Sequence, residues 1–264
     1  MKKILLVGGC SFTANNFVSS VHPELDTSWP MWPELLAKKI DMQLMNVGVS
    51  GAGNEQIFTS ILDVLENTRT DRIGLVIAAW SQSQRGSWTE GTHCRWRSNR
   101  VEENGDIFYW VKKTMKYWHM FQIVCEKYNL PYKQFQMIPL FDHWLNDMFK
   151  NDWELAENRK NPKKDFVERY KYPGDRVRDR KILEKWVIDF QKNINTKNFW
   201  LWPPLNTLTM EGRVLKDEND MPRKGLIISR YDAHPTRLGQ EKLFEFIHSR
   251  LIHKSDNSYY GKYI

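Results

Sequence analysis

Three side chains of this 264-residue sequence have the chemistry of a serine nucleophile and its base: Ser11, Asp232 and His234. A serine hydroxyl is a weak nucleophile until a base takes its proton. Histidine is the usual general base near neutral pH, and a neighbouring carboxylate orients its ring and stabilises the protonated form. This set predicts that Ser11 attacks, that His234 accepts and returns the proton, and that Asp232 orients His234.

Ser11 follows a segment with the pattern of a buried strand. Ile4–Val7 is a short, uninterrupted apolar run, which is typical of a strand buried on both faces. Gly8 and Gly9 then allow a tight turn of the backbone. Because ligands bind at the carboxyl ends of the strands in open α/β sheets, Ser11 is predicted to lie at a binding edge.

Two further predicted strands also end in small or polar residues. Met42–Val49 is apolar at alternate positions and leads into Ser50–Asn54. Ile73–Trp80 is almost continuously apolar and is followed by Ser81–Arg85. A helix over Leu35–Ile40, preceded by proline, lies between the first two strands. Alternating strands and helices predict a parallel sheet covered by helices, with right-handed crossovers.

The rest of the chain has weaker patterns. Tyr132–Phe141 is predicted to be a fourth strand, with Pro139 placing it at a sheet edge or strand end. Gly225–Ser229 is a short apolar segment. Helices are predicted over Trp110–Tyr128, Asp179–Ile194 and Leu238–Ile252. We interpret the chain as a single domain over 1–264 with an elaborated, tryptophan-rich insertion at about 86–205.

The segments Gly8–Thr13, Asn46–Gly51 and Asp232–Pro235 together resemble three sequence blocks of the SGNH, or GDSL-type, hydrolase family. The resemblance implies a three-layer α/β/α fold with a mostly parallel, flavodoxin-like central sheet. It also implies a serine esterase that works through an acyl-enzyme on a small-molecule or carbohydrate ester, such as an O-acetylated sugar. This chemistry requires neither a metal nor an organic cofactor.

The resemblance also implies an oxyanion hole. The backbone N–H groups of Ser11 and Gly51 would be two of its donors. The family's third block reads Gly-x-Asn-Asp, whereas Ala79–Gln82 contains no asparagine, so either Gln82 or Ser81 would supply the third donor. One such donor is typically worth about 3 kcal/mol, or roughly 100-fold or more in rate.

Two other positions depart from the family pattern. Cys10 stands where the first block commonly has aspartate, which is not itself the nucleophile. Asp232 precedes His234 by two residues instead of the usual three, and Tyr231 occupies the usual position. Either Asp232 reaches the imidazole through a different turn, or a backbone carbonyl orients His234.

Four other side chains are weaker candidates for substrate binding. Asn54 either lines the pocket or stabilises its turn. Asp142 and His143 form either a rival dyad or substrate rim, or simply the exposed start of a helix. Arg85 meets either an anionic group of the substrate or a surface carboxylate.

Most of the tryptophans lie in the middle of the chain: Trp88, Trp96, Trp110, Trp118, Trp144, Trp153, Trp186, Trp200 and Trp202. Their rings can stack on sugars, but such residues more often fill a core. We expect core packing for most of them and exposure for two or three.

Composition narrows the remaining alternatives. The net charge of +7 is compatible with an anionic partner. However, acidic residues intersperse the basic segment Arg159–Lys181, and no zinc-finger or RNA-binding signature is present, so nucleic-acid binding is not favoured. Three widely spaced cysteines predict neither a disulfide framework nor a zinc site.

No apolar run approaches the roughly 20 residues of a membrane span, and the first residues do not have the pattern of a secretion signal. A cytoplasmic protein is expected, with a virion-associated one as the alternative. A second functional hypothesis is a hydrolase-like binding or structural module, for example of a phage particle or a polysaccharide-handling complex. The altered third block and the large aromatic insertion motivate it, and the oligomeric state stays open.

Overall fold

The computed structural model describes residues 2–91, 95–99, 101–145, 172–205, 214–215, 223, 225–229 and 232–252. Its strands are β1 (Ile4–Gly8), β2 (Gln43–Asn46), β3 (Ile73–Trp80), β4 (Gly86–Glu90), β5 (Arg95–Asn99), β6 (Tyr132–Gln136), β7 (Ile227–Ser229) and β8 (Asp232–Pro235). Its helices are α1 (Trp32–Lys39), α2 (Asn54–Asn67), α3 (Ile107–Lys127), α4 (Asp142–Leu145), α5 (Arg176–Asp189) and α6 (Arg237–Ile252), with 3-10 turns at Thr70–Arg72 and Phe190–Asn193. Trp153, Tyr231, the side chain of His143 and the first part of the basic segment lie outside the described residues.

Four strands form a parallel sheet in the order β2-β1-β3-β6. β1 therefore lies inside the sheet, paired with β2 on one side and β3 on the other. The β1–β2 pairing continues past the strand ends, because Val47 N–H donates to the Val7 carbonyl and Val49 N–H donates to the Gly9 carbonyl, at 2.8 and 3.0 Å. The turns that follow β1 and β2 consequently lie side by side at the carboxyl edge of the sheet.

The sheet is covered on both faces, which confirms the predicted three-layer α/β/α architecture. Alternate residues of a strand point to opposite faces, and in β1 Leu5 and Val7 pack with α1 and α6, whereas Ile4 and Leu6 pack with α2 and α3. These four side chains are at most 1% exposed. The uninterrupted apolar pattern of β1 is thus explained by burial on both faces.

β6 is the edge strand on the side of β3, and it ends at Gln136, before Pro139. The edge is partly covered by 198–200, because Gln134 N–H donates to the Asn198 carbonyl and Trp200 N–H donates to the Gln134 carbonyl, both at 2.9 Å. Thus α3 and β6, although within 86–205, belong to the sheet and its helical layer. The antiparallel hairpin β4–β5, which no sequence pattern predicted, is an addition beyond them.

Two helices begin three residues earlier than predicted because aspartates cap them. Asp106 accepts a hydrogen bond from Tyr109 N–H at the start of α3. Asp175 accepts from two backbone N–H groups at the start of α5. An N-cap aspartate satisfies N–H groups that have no partner within the helix. None of the described helices is both long and apolar enough to cross a bilayer.

The prediction that most tryptophans pack in the core is confirmed within the described residues. Trp118 and Trp202 are at most 2% exposed, and their rings meet edge to face. Trp88, by contrast, is 39% exposed, and Trp96 is partly exposed. Both of these lie on the hairpin β4–β5.

Gly239 sits where α6 passes close to the β7–β8 hairpin, and a methyl group there would overlap the Leu226 carbonyl oxygen. Replacing it by alanine would gain about 1 kcal/mol in helix propensity. The overlap with a backbone atom is expected to outweigh this gain, for a net destabilisation of about 1 to 3 kcal/mol. Urea unfolding measures the change. Ser249→Ala, an exposed position of the same helix, is the matched control, and an equal or higher stability of Gly239→Ala would contradict the prediction.

Candidate active site

Ser11 lies in a tight turn directly after β1. The Cys10 carbonyl accepts hydrogen bonds from the N–H groups of Thr13 and Ala14, at 2.8 and 3.0 Å. The turn leaves no room for a side chain at position 9, where a Cβ atom would overlap the Thr13 side chain. Gly9 is therefore required to bring Ser11 to the carboxyl end of β1.

His234 and Asp232 lie on one strand, β8, and this explains their short spacing. Residues two apart on a strand point to the same face. His234 Nδ1 lies 2.5 Å from Asp232 Oδ1, and the same oxygen accepts from His234 N–H at 3.1 Å. On the other side of the ring, Nε2 lies 2.7 Å from Ser11 Oγ. The structure thus brings together the three side chains that the sequence singled out, in a continuous chain of hydrogen bonds.

The environment of Asp232 keeps its carboxyl group ionised. Burial acts to raise its pKa, but hydrogen bonds from His234 and Ser19 and the charge interaction with His234 act against it, and the net result is a pKa below the ordinary value. Ser19 Oγ donates to Asp232 Oδ2 at 2.5 Å. Both carboxylate oxygens are therefore engaged, one with the histidine and one with a serine.

The imidazole of His234 packs against two phenylalanines. Phe17 stacks on it with ring centroids 4.1 Å apart, and Phe12 lies tilted at 4.8 Å. Both phenylalanines are buried, whereas 26% of the His234 side chain is exposed. These contacts restrict the ring to the plane in which it joins Ser11 and Asp232.

Ser19 and His22 belong to the irregular segment after Ser11, and sequence reasoning did not identify them as part of the site. Ser19 Oγ accepts from His22 N–H at 2.9 Å, and His22 Nε2 lies 2.9 Å from Ser229 Oγ. The Ser229 hydroxyl in turn accepts from Asp232 N–H at 3.1 Å. The segment that carries Phe17 is therefore tied to the β7–β8 hairpin at two points. No periodic pattern marks such a segment in the sequence.

Replacing Ser19 by alanine is expected to lower kcat for an ester substrate about tenfold with little change in KM, because a hydrogen bond to a charged group is worth about 1.5 to 3 kcal/mol. Ser19 holds Asp232 and is itself buried. Steady-state kinetics test this, with Ser20→Ala as the matched control since Ser20 is its exposed neighbour. Ser19→Thr, which restores the hydroxyl, should recover most of the rate. An unchanged kcat in Ser19→Ala would refute the role.

The turn after β2 lies next to that of Ser11. Ala52 N–H donates to the Val49 carbonyl at 3.1 Å, and Gly51 adopts a φ of +83°, as the third position of a type II turn requires. The hydrogen bond that closes the turn is donated by Ala52 N–H, so it does not involve the N–H of Gly51. Asn46 joins the two turns, because its Nδ2 donates to the Thr13 carbonyl at 2.7 Å and its Oδ1 accepts from Gly48 N–H at 2.9 Å.

The end of β3 carries the two candidates for a third oxyanion donor. Ser81 is 0% exposed and Gln82 is 4% exposed. The Gln82 side-chain oxygen accepts from Gln84 Nε2 at 2.9 Å and from Arg85 Nε at 3.2 Å. These two bonds fix the orientation of the amide, whose Nε2 is the side-chain donor of Gln82.

Asn54 holds the end of β3 in place. Its Oδ1 accepts from Ser81 N–H at 2.7 Å, while its Nδ2 donates to the Ser81 carbonyl at 3.2 Å and to Thr114 Oγ1 at 3.0 Å. The residue is 3% exposed. Both ends of the amide are thus engaged within the protein, which corresponds to a structural role and not to the lining of a pocket.

Asp142 and Arg85 are also engaged within the protein. Asp142 begins α4, is 1% exposed and forms an ion pair with Arg180 of α5. Asp142 is therefore covered within the protein, and the alternative of an exposed helix start is wrong. The rival dyad stays a prediction, because the side chain of His143 lies outside the described residues. Arg85 is partly buried at the base of the hairpin β4–β5 and donates to Gln82.

The chain is similar in fold to several solved structures of ester hydrolases. The psychrotrophic esterase EstA from Pseudoalteromonas sp. has 12% identity and a TM-score of 0.49, with 95% of this chain and 97% of that chain covered. A member of the lipolytic protein G-D-S-L family from Veillonella parvula has 12% identity and a TM-score of 0.48, with 95% and 99% covered.

A variant of an acetyl-xylooligosaccharide esterase from Geobacillus has 10% identity and a TM-score of 0.44, with 94% of both chains covered. No protein-family model matches the chain, and no curated protein matches its sequence.

Proposed function

We propose that this protein is a serine esterase of the SGNH type. The observation that carries the proposal is the hydrogen-bonded series Asp232, His234 and Ser11, with contacts of 2.5 and 2.7 Å at the carboxyl edge of a parallel sheet. An activated nucleophile has this signature: a base in hydrogen-bond reach, itself oriented by a third group.

In the proposed reaction Ser11 Oγ attacks the ester carbonyl carbon while His234 Nε2 takes the hydroxyl proton. The negative charge that develops on the carbonyl oxygen is stabilised by the N–H groups of Ser11 and Gly51 and by Nε2 of Gln82. The tetrahedral intermediate expels the alcohol, which receives the proton from His234, and an acyl-enzyme remains. His234 then activates water, the acid leaves, and Ser11 regains its proton. Asp232 stays ionised throughout.

We further propose that the acyl group is small, such as acetyl, and that the alcohol is a carbohydrate. Ser11 is only 4% exposed, and the neighbouring Phe12 and Phe17 are buried at 5% and 6%. Such a narrow approach to the nucleophile favours a short acyl chain. The side chain of His234 is partly exposed to solvent. Because His234 must protonate the departing alcohol, the alcohol would lie on this open side of the site.

A second candidate function is a hydrolase-like binding module with little turnover. The state of Gln82 favours it, because two hydrogen bonds hold its side-chain oxygen and the family's asparagine is missing. In that case the nucleophile would still be activated by His234, but transition-state stabilisation would be weak.

Two measurements on the purified protein separate these candidates. A serine-directed fluorophosphonate should label Ser11, located by peptide mass spectrometry, and acetate release should be measured on aryl acetates and acetylated oligosaccharides. Labelling with turnover supports the esterase, and labelling with negligible turnover supports the binding module. If the protein shows no labelling and no turnover, the proposal that Ser11 is an activated nucleophile is contradicted.

A further inference from the structure

The hairpin β4–β5 presents two faces of different composition. Paired residues of an antiparallel ladder share a face, and successive residues alternate between faces. By the observed register one face, here called the inner face, carries Ser87, Thr89, Trp96 and Ser98. The opposite, outer face carries Trp88, whose indole N–H donates to Glu90 at 3.0 Å.

The inner face lies against the turn that contains Gly51. Gly53 N–H donates to Ser87 Oγ at 2.9 Å. A Cβ atom at Gly51 would lie 3.2 Å from Ser98 Oγ. Because Val49 N–H of this turn donates to the Gly9 carbonyl, just before Ser11, the inner face borders the candidate active site beside Gly51.

Trp96 is the next inner-face residue after Ser98, about 7 Å along the strand. Trp96 is partly exposed, and Thr89, which is exposed, lies directly across the hairpin from it. A flat apolar ring flanked by hydroxyl groups matches a sugar, which presents a C–H face for stacking and hydroxyls at its edge for hydrogen bonding.

We infer that the inner face of the hairpin is a sugar-binding subsite for the alcohol part of the substrate. One ring of the carbohydrate stacks on Trp96, and the hydroxyls of Thr89 and Ser98 bind its edge. The inference rests on the proposed esterase function for its orientation, with the acyl group at Ser11 and the sugar toward the hairpin.

The test compares Trp96→Ala with Trp88→Ala, a tryptophan on the outer face of the same hairpin. Trp96→Ala should raise KM for acetylated xylo- and gluco-oligosaccharides about tenfold while its kinetics on a small aryl acetate stay unchanged. Trp88→Ala should behave as the wild type on both, and Trp96→Phe should recover most of the affinity. Unchanged oligosaccharide kinetics in Trp96→Ala, or an equal loss on both substrates, would overturn the inference.

A binding measurement separates failure of the subsite from failure of the esterase. Calorimetric titration of the Ser11→Ala protein with the deacetylated oligosaccharides needs no turnover. Binding that Trp96→Ala removes and Trp88→Ala retains supports the subsite even if the wild type hydrolyses no ester. Hydrolysis of aryl acetates without oligosaccharide binding refutes the subsite and leaves the esterase standing.

Discussion

Ser11→Ala is expected to lower kcat for ester hydrolysis by about 10⁴-fold or more, because the attacking oxygen is removed and only the oxyanion donors and substrate binding remain. His234→Ala should cost a similar factor. The double variant should be hardly worse than either single one, since nucleophile and base act as a unit. Steady-state kinetics on an aryl acetate measure all three.

Ser83→Ala is the matched control for this substitution. Ser83 is a serine of similar burial, 5% exposed, just beyond β3, and its hydroxyl has no hydrogen-bond partner among the described residues. Its replacement should change kcat by no more than about twofold. Retention of activity within about tenfold in Ser11→Ala would mean that another group is the nucleophile.

Asp232→Asn is expected to lower kcat by roughly 10³- to 10⁴-fold with little change in shape. An asparagine amide that donates to Nδ1 would place the histidine proton on Nε2, and that tautomer cannot accept the proton of Ser11. Asp232→Glu, which keeps the charge with poorer geometry, should be less impaired. Activity within about tenfold of the wild type in Asp232→Asn would mean that a backbone group orients His234.

The same variant should change the acid sensitivity of folding. Because the pKa of Asp232 is lower in the folded protein than its ordinary value of about 3.9, the ionised carboxylate stabilises the fold above that pH. This contribution is lost as the pH falls through the lower, folded-state pKa.

The wild type should therefore lose more unfolding free energy than Asp232→Asn when the pH is lowered from about 7 to about 3. Urea unfolding at both pH values measures the difference. An equal loss in the two proteins would show that Asp232 is not stabilised by its partners in the folded state.

Periodic patterns made the sheet and its covering helices predictable from the sequence. A strand buried on both faces must be apolar at every position, so Ile73–Trp80 was located to the residue. Elements without such a pattern escaped prediction. The hairpin β4–β5 consists largely of polar and charged residues on a half-exposed ribbon, where neither face needs to be consistently apolar.

The sequence by itself determined the residue types of the candidate site, and it placed Ser11 and Gly51 in turns after predicted strands. The oxyanion role of Gly51 came only from the resemblance to the SGNH family, and Asp232 and His234 were named from their side-chain chemistry together with that resemblance. The spacing of two between Asp232 and His234 did not settle their geometry. Two such side chains point to the same face if the segment is a strand, but not necessarily if it is a turn.

Only the tertiary structure decided that Asp232 and His234 lie on a strand and that Ser19 binds the second carboxylate oxygen of Asp232. It also decided that Ser81 is buried and that the hairpin β4–β5 borders Gly51. The physical reason is that local periodicity reports which face of an element is buried. Contacts between side chains more than 200 positions apart, such as Ser19 with Asp232 and Ser11 with His234, depend on how the elements pack together.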